Sequence, residues 1–240
     1  MALLLAIETS GELCSVAIGD GKGRIAEAGS ARARGHNEFL LPAIDELLSA
    51  GGYRLRQLDG IAVGVGPGSF TGLRLGIGVA QGLALGADLG VIPVSSLAAL
   101  AQAGVRDGEL VAGELALPAV DARMGQVYWG CYELVADLVV ALTEDRLGPP
   151  QALAAELGPL RQRALVGLGG GWGLDVPPGL ELRRCRGGVL ARAGDVLRLA
   201  QREARAGGLL APERLEPRYL RGSEHWRQAR RAGATAGPGA

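Results

Sequence analysis

Between Ile61 and Ala87 the chain reads as a buried strand, a Gly66-Pro67-Gly68-Ser69 turn, and a helix whose interior carries Gly76, Gly78, Gly82 and Gly86. A buried strand feeding into a helix is a building unit of α/β sheets. The glycines are the costly part. Each destabilises a helix by about 0.5–1 kcal/mol relative to alanine, together roughly 2–4 kcal/mol, against a typical domain stability of ~5–15 kcal/mol. Something that needs a surface free of side chains has to offset this. At about 100° per residue, Gly72, Gly76, Gly78, Gly82 and Gly86 fall in one half of the helix, and Leu73, Ile77, Ala80 and Ala84 in the other. Two readings stand level on spacing alone: close packing on the chain's own sheet or on a helix at 36–50, and a helix–helix interface with another subunit.

The flanking sequence supplies the rest of an α/β unit. Leu3–Thr9, Leu13–Ile18 and Arg24–Gly29 read as an antiparallel meander, the second with the alternation of a half-buried strand. His36–Ala50 has helical periodicity, with Asn37 as N-cap, Pro42 near its start and Gly51-Gly52 at its end. Val91–Val94 is a short strand, and Ser95 or Ser96 caps a helix to Ala103. Residues 1–103 therefore read β-β-β-α-β-α-β-α. Beyond them, Leu115–Val120 and Gln126–Leu134 flank a hairpin turn at Asp121–Gly125, Pro149–Leu157 is a short helix, Leu165–Leu168 a strand, and Val189–Ala206 an amphipathic helix with Leu190, Val196, Leu197 and Leu199. This gives a first lobe at 1–103, a smaller second lobe with the C-terminal helix at 104–231, and a small-residue tail at 232–240 expected to be disordered.

Composition excludes several classes. Cys14, Cys131 and Cys185 form no CxxC pair or disulfide framework, which suits a reducing, cytoplasmic setting. No apolar run is long enough for a membrane span, and Glu8 interrupts the N-terminal run too early for a signal peptide. Aromatic residues are 4 % of the chain, which argues against a base-stacking platform. The formal net charge is zero, but residues 1–180 carry 12 basic and 19 acidic side chains, and residues 181–240 carry 13 and 6. The plain reading is a basic solvated helix that pairs with the acidic remainder.

Candidate chemistry is sparse. The Gly66–Gly72 loop sits between strand and helix, where backbone N–H groups suit an anion, with Gly66, Gly68, Ser69 and Thr71 as phosphate candidates. It lacks the lysine of a Walker A loop, fails GxGxxG and fails GxSxG. A plain capped turn is the competing reading. Glu8, Thr9 and Ser10 at the end of the first strand are a second nucleotide or phosphate candidate, against an ordinary acidic turn. The two histidines, His36 and His225, are 189 positions apart and make no HxxxH or HExxH pair, so no metal site and no catalytic residue is assigned.

Ala6–Ser10, Cys14–Ala17, His36–Pro42, Ile61–Arg74 with its GPGSFTGLR stretch, Ile92–Leu97, Asp121–Tyr128 and Pro217–Arg221 together resemble the bacterial TsaB (YeaZ) family, an accessory subunit of tRNA threonylcarbamoyladenosine synthesis. The match runs in order over about residues 3–221, and residues 140–215 match only in pattern. The resemblance implies a two-lobed ASKHA (actin-like ATPase, RNase H-like) fold, α/β with mixed sheets flanked by helices. It implies a pseudoenzyme, because the family's catalytic paralogue holds a metal through an HxxxH helix that this chain lacks. That paralogue transfers threonylcarbamoyl to N6 of adenosine 37 in tRNAs reading ANN codons.

The implied role is therefore a non-catalytic scaffold that binds a TsaD-type transferase subunit through first-lobe helices. A TsaE-type ATPase docks on the pair, homodimers form through the same surface, and tRNA is reached through the complex. This tips the even odds on the glycine helix toward an interface made by helices 36–50 and 70–87, with His36, Leu40, Phe70, Arg74, Gly78, Gly82 and Gly86 as contacts. No cofactor is intrinsic; ATP or ADP would sit in the cleft or at the complex interface. The alternative function is an ASKHA-type ATPase or kinase acting alone. If the chain also helps to place tRNA, its C-terminal arginines, Arg227, Arg230 and Arg231 among them, are the expected contacts.

Overall fold

The computed structural model describes residues 2–31, 35–173 and 177–221. The first sheet comprises β1 (Leu4–Glu8), β2 (Cys14–Gly19), β3 (Ile25–Ser30), β4 (Gly60–Gly64) and β5 (Val91–Val94) in the order β3-β2-β1-β4-β5. The β3-β2-β1 pairs are antiparallel and the β1-β4-β5 pairs parallel. Every residue of β1, β2 and β4 is buried, as expected of strands covered on both faces. The alternation read into Leu13–Ile18 therefore overstated exposure: a second layer covers the face expected to meet solvent.

One face carries α1 (His36–Gly51) and α2 (Phe70–Ala87), closed over Leu40, Ile44, Leu73, Ile77, Ala80 and Ala84. The other face carries α3 (Ser96–Arg106) and α5 (Ala193–Arg205), whose Leu97, Leu100, Val196, Leu197 and Ala200 share one core with both sheets. The second sheet has β6 (Leu115–Arg123) at its centre, between β7 (Gln126–Trp129) and β11 (Leu165–Leu168). Outside these lie β10 (Arg146–Gly148) and β12 (Leu182–Arg186), and β8 (Tyr132–Val135) pairs with the start of β6 and with β9 (Leu138–Ala141). The outer face of this sheet is covered by α4 (Leu153–Leu157) and by Trp172, whose indole N–H donates to Leu117 O at 2.8 Å. Two sheets enclosing α3 and α5, with further helices outside each sheet, make the two-lobed ASKHA-type α/β fold.

Several boundaries move, each for a local reason. Asn37 does not cap α1; the helix starts at His36, and Gly35 stands before it with no side-chain cap. Gly52, in the left-handed region at φ 69°, ends α1 as expected. Ser69 caps α2 by accepting from Gly72 N at 3.3 Å, and Ser95 caps α3 by accepting from Ala98 N at 3.2 Å. Gln126–Leu134 is two strands, broken at Gly130, where a Cβ would stand 2.9 Å from the Tyr132 ring and 3.1 Å from Asp145 Oδ1. The short strands β9, β10 and β12 carried too little pattern to be seen.

The C-terminal helix starts at Ala193, leaving Leu190 outside it. It lies between the two sheets, against β1, β2 and β4 of the first. Ala193 N donates to Ser15 Oγ at 2.9 Å, and Gly194 N donates to Glu27 Oε1 at 2.7 Å. The tail at 232–240 lies outside the described residues.

Candidate functional site

The two phosphate candidates are brought together, and they fill each other's space. Ser69 N donates to Ser10 O at 2.7 Å, Ser10 N to the Glu8 carboxylate at 2.6 Å, and Thr9 Oγ1 to Gly72 O at 2.8 Å. Gly66 N donates to Ser96 Oγ at 3.1 Å. A Cβ on Gly68 would stand 2.5 Å from Ser10 O. Glu8, Thr9 and Ser10 are buried, while Thr71 is exposed and apart from them. The end of the first strand thus lies against the loop and takes up several of its hydrogen-bonding groups. Burial pushes the Glu8 carboxyl above its usual range, opposed by hydrogen bonds from Ser10 and Ser96. Glycine is needed at residue 64 for the same reason: a side chain there would overlap the Glu8 carboxylate.

The glycine half of α2 divides. Gly72 and Gly76 are buried against Thr9, which is the packing reading. Gly78, Gly82 and Gly86 are exposed, with nothing within 4 Å of the place a Cβ would occupy. Leu41 of α1 and Leu85 of α2 are also exposed. Of the other residues expected at this face, Leu40 is fully buried in the core and not available to a partner. It sits on the sheet-facing side of α1, one position from the exposed Leu41. His36 is half-buried.

Phe70 and Arg74, in the first turns of α2, line a groove. Three stretches far apart in sequence, Pro67–Arg74, Ala122–Tyr128 and Arg218–Arg221, meet around a groove of about 650 Å³. The Arg74 guanidinium lies 3.2 Å from the Phe70 ring centroid and 5.3 Å from that of Tyr219, and the two rings are 6.1 Å apart. Arg221 donates to Ala122 O at 3.0 Å and to Gln126 Oε1 at 2.8 Å. At the hairpin tip Met124 takes φ 57°, ahead of Gly125 at φ 70°. Left-handed backbone at a non-glycine costs roughly 1–2 kcal/mol, and it leaves Met124 73 % exposed at the groove rim. Tyr128, Tyr219 and Arg221 were quoted in the motifs but not chosen as site residues, since only the tertiary structure joins them.

A second, larger cavity of about 1010 Å³ lies beside β5, the loop after β9 and α5. On its wall Asp145 accepts from Ser95 Oγ at 2.7 Å, Tyr132 OH at 2.5 Å and Arg218 Nη1 at 3.0 Å. The sequence marks Ser95 only as a helix cap within a motif and Arg218 only as part of a motif, and does not single out Tyr132 or Asp145. These four residues tie the start of α3, the second sheet and the C-terminal segment together. Part of the basic C-terminal region pairs with acidic residues, from strand β12 rather than from a helix: Arg184 with Glu114 at 2.5 Å and Arg186 with Glu109 at 2.8 Å. Arg227, Arg230 and Arg231 lie outside the described residues. Among the described residues, no three His, Cys, Asp or Glu side chains are grouped to hold a metal ion, and no helix is long and apolar enough to cross a membrane.

Comparison with known proteins covers most of the chain. Residues 30–164 match the family model described as TsaD: tRNA N6-adenosine threonylcarbamoyltransferase. The chain is 37 % identical over 234 residues to the tRNA threonylcarbamoyladenosine biosynthesis protein TsaB of Escherichia coli (strain K12), covering 94 % of this chain and 97 % of that one. It is 37 % identical over 238 residues to the protein of the same name from Haemophilus influenzae, covering 94 % and 96 %. The solved structure of YeaZ from Pseudomonas aeruginosa matches with a TM-score of 0.84 at 38 % identity, over 92 % of this chain and 100 % of that one. With this identity along nearly its whole length, the chain belongs to the TsaB (YeaZ) family.

Proposed function

We propose that this chain is a non-catalytic scaffold subunit of the assembly that makes N6-threonylcarbamoyladenosine in tRNA, and that it binds the transferase subunit through the outer face of α1 and α2. The observation that carries this reading is the row Gly78, Gly82 and Gly86, exposed and facing open space. Three glycines in an exposed helix face cost about 0.5–1 kcal/mol each relative to alanine, and among the described residues nothing stands within 4 Å of the place a Cβ would occupy at any of them. Close approach of a second helix is the physical use of such a face. The exposed Leu41 and Leu85 add apolar area beside it. A homodimer would use the same surface. The filled phosphate loop and the lack of a histidine pair support a non-catalytic role, exercised in the cytoplasm where tRNA is modified.

The test is co-purification with the transferase subunit and reconstitution of tRNA modification with each component omitted in turn. Gly82→Leu is expected to abolish the pairing and the modification activity while leaving the chain folded. Retention of the pairing in that variant would show the face to be wrong. Saturable nucleotide hydrolysis by the chain alone, abolished by Glu8→Ala, would show the scaffold role to be wrong.

A further inference from the structure

We infer that the groove between Pro67–Arg74, Ala122–Tyr128 and Arg218–Arg221 is a docking site for single-stranded RNA, with a base against Phe70 and Tyr219 and phosphates on Arg74 and Arg221. This deepens the proposed role, on which it rests: it makes the scaffold a direct contributor to tRNA placement, from a surface other than the C-terminal arginines.

Charge is the first observation. Among the described residues the groove is lined by four arginines, Arg74, Arg123, Arg218 and Arg221, and by no carboxylate. Arg218 is bound to Asp145 and Arg123 to Asp121. Among the described residues Arg74 and Arg221 have no carboxylate partner; their bonds go to the Phe70 and Ala122 carbonyls, Gln126 and Met124. Two guanidinium groups held in place by neutral acceptors keep their full charge for an external anion.

Aromatic placement is the second. The chain has two phenylalanines and four tyrosines, and three of these six, Phe70, Tyr128 and Tyr219, line this groove. Phe70 is 55 % and Tyr219 49 % exposed, with Arg74 stacked on Phe70. Exposed rings interleaved with guanidinium planes are what unstacked bases use, and a phosphate lies next to each base. An acidic peptide would satisfy the arginines but give the exposed rings no use. The low aromatic content therefore does not exclude a stacking platform, because the fold concentrates the few rings present.

Position is the third. Gly82 lies eight residues beyond Arg74 along α2, about 12 Å at the helical rise, while Gly78 is one turn from Arg74, so RNA in the groove borders the glycine row at Gly78 and leaves Gly82 and Gly86 to a subunit.

The test is fluorescence anisotropy of the full chain, alone and with the transferase subunit, using a labelled RNA hairpin with an unpaired loop and a fully paired RNA duplex. The hairpin is expected to bind more tightly than the duplex. Phe70→Ala, Arg74→Ala and Arg221→Gln are each expected to weaken hairpin binding by about fivefold or more. The two arginine variants should also lower the slope of log affinity against log salt by about 0.7 each, while Phe70→Ala leaves it unchanged. Tyr219→Leu serves in place of any variant whose circular dichroism shows that it has not folded.

Gly82→Leu is expected to leave RNA affinity of the chain alone unchanged while losing the transferase subunit, so failure of the interface reading and failure of this one are read separately. Hairpin affinity unaltered in the groove variants, or no binding with or without the transferase subunit, overturns the proposal. So does displacement of the hairpin by polyglutamate or by free AMP at equal concentration.

Discussion

Thr9 and Gly76 are in direct contact: the Thr9 hydroxyl fills the space that a Cβ on Gly76 would need. The end of β1 therefore lies against the first turns of α2, and the glycines of that helix separate into two kinds. Gly76→Ala is expected to destabilise the isolated chain by about 1–3 kcal/mol through overpacking. Gly78→Ala, which meets nothing, is expected to stabilise it by about 0.5–1 kcal/mol. Urea denaturation measures both, and the same sign at the two positions would refute the division.

Asp145 joins three parts of the chain through Ser95, Tyr132 and Arg218. Removing its carboxylate leaves the buried Tyr132 hydroxyl without its strongest acceptor. Asp145→Ala is expected to cost about 2–3 kcal/mol and to loosen the C-terminal segment. Hydrogen exchange should rise at Arg218, whose N–H bonds Val65 O at 2.8 Å. A stability loss without faster exchange there would confine the role of Asp145 to the sheet.

Glu114 is buried, and Arg184 binds it through two nitrogens at 2.9 and 2.5 Å while also reaching Glu109 O. Arg184→Ala strands a buried carboxylate and is expected to cost about 3–5 kcal/mol. The neighbouring Arg183 is mostly exposed, 3.5 Å from the same carboxylate, and Arg183→Ala should fall within about 0.5 kcal/mol of the parent. Thermal unfolding of the two variants side by side is the check.

Asp195 is buried and bound to Arg106, and burial pushes its carboxyl up to about 7 against the lowering effect of that arginine. An acid whose pKa is higher in the folded state than in the unfolded chain binds more protons when folded, so its contribution to stability is full below about pH 4 and is lost as pH rises through about 7. Glu8 is shifted in the same direction by burial. Asp195→Asn is expected to flatten the fall in stability across that window, measured as urea midpoints against pH. An unchanged slope would place the titrating group elsewhere.

Much of the first sheet and its helices was legible in sequence because each element carried its own local chemistry. Val91–Val94 is apolar and bounded by turns, Ser69 and Ser95 are caps, and Gly52 is a stop, so strand and helix limits fell within a few residues of those observed. The second sheet was less legible because β9, β10 and β12 are three to five residues long, too short for periodicity to register. The amphipathic face of α5 announced burial but not against which sheet, because a helical face carries no record of what covers it.

The same boundary runs through the site. Sequence by itself determined the strand–turn–helix unit, the excess of glycine in α2, the absence of a histidine pair, and, through its motifs, the family. It could not say which glycines meet Thr9 and which meet open space, since one helical face can touch its own sheet at one end and nothing at the other. Nor could it show that Glu8–Ser10 fills the loop proposed for phosphate, or that Phe70, Tyr219, Arg74 and Arg221 share one groove. Contacts between residues up to about 150 positions apart depend on how the layers stack, and that is decided by burial of the whole core rather than by any local pattern.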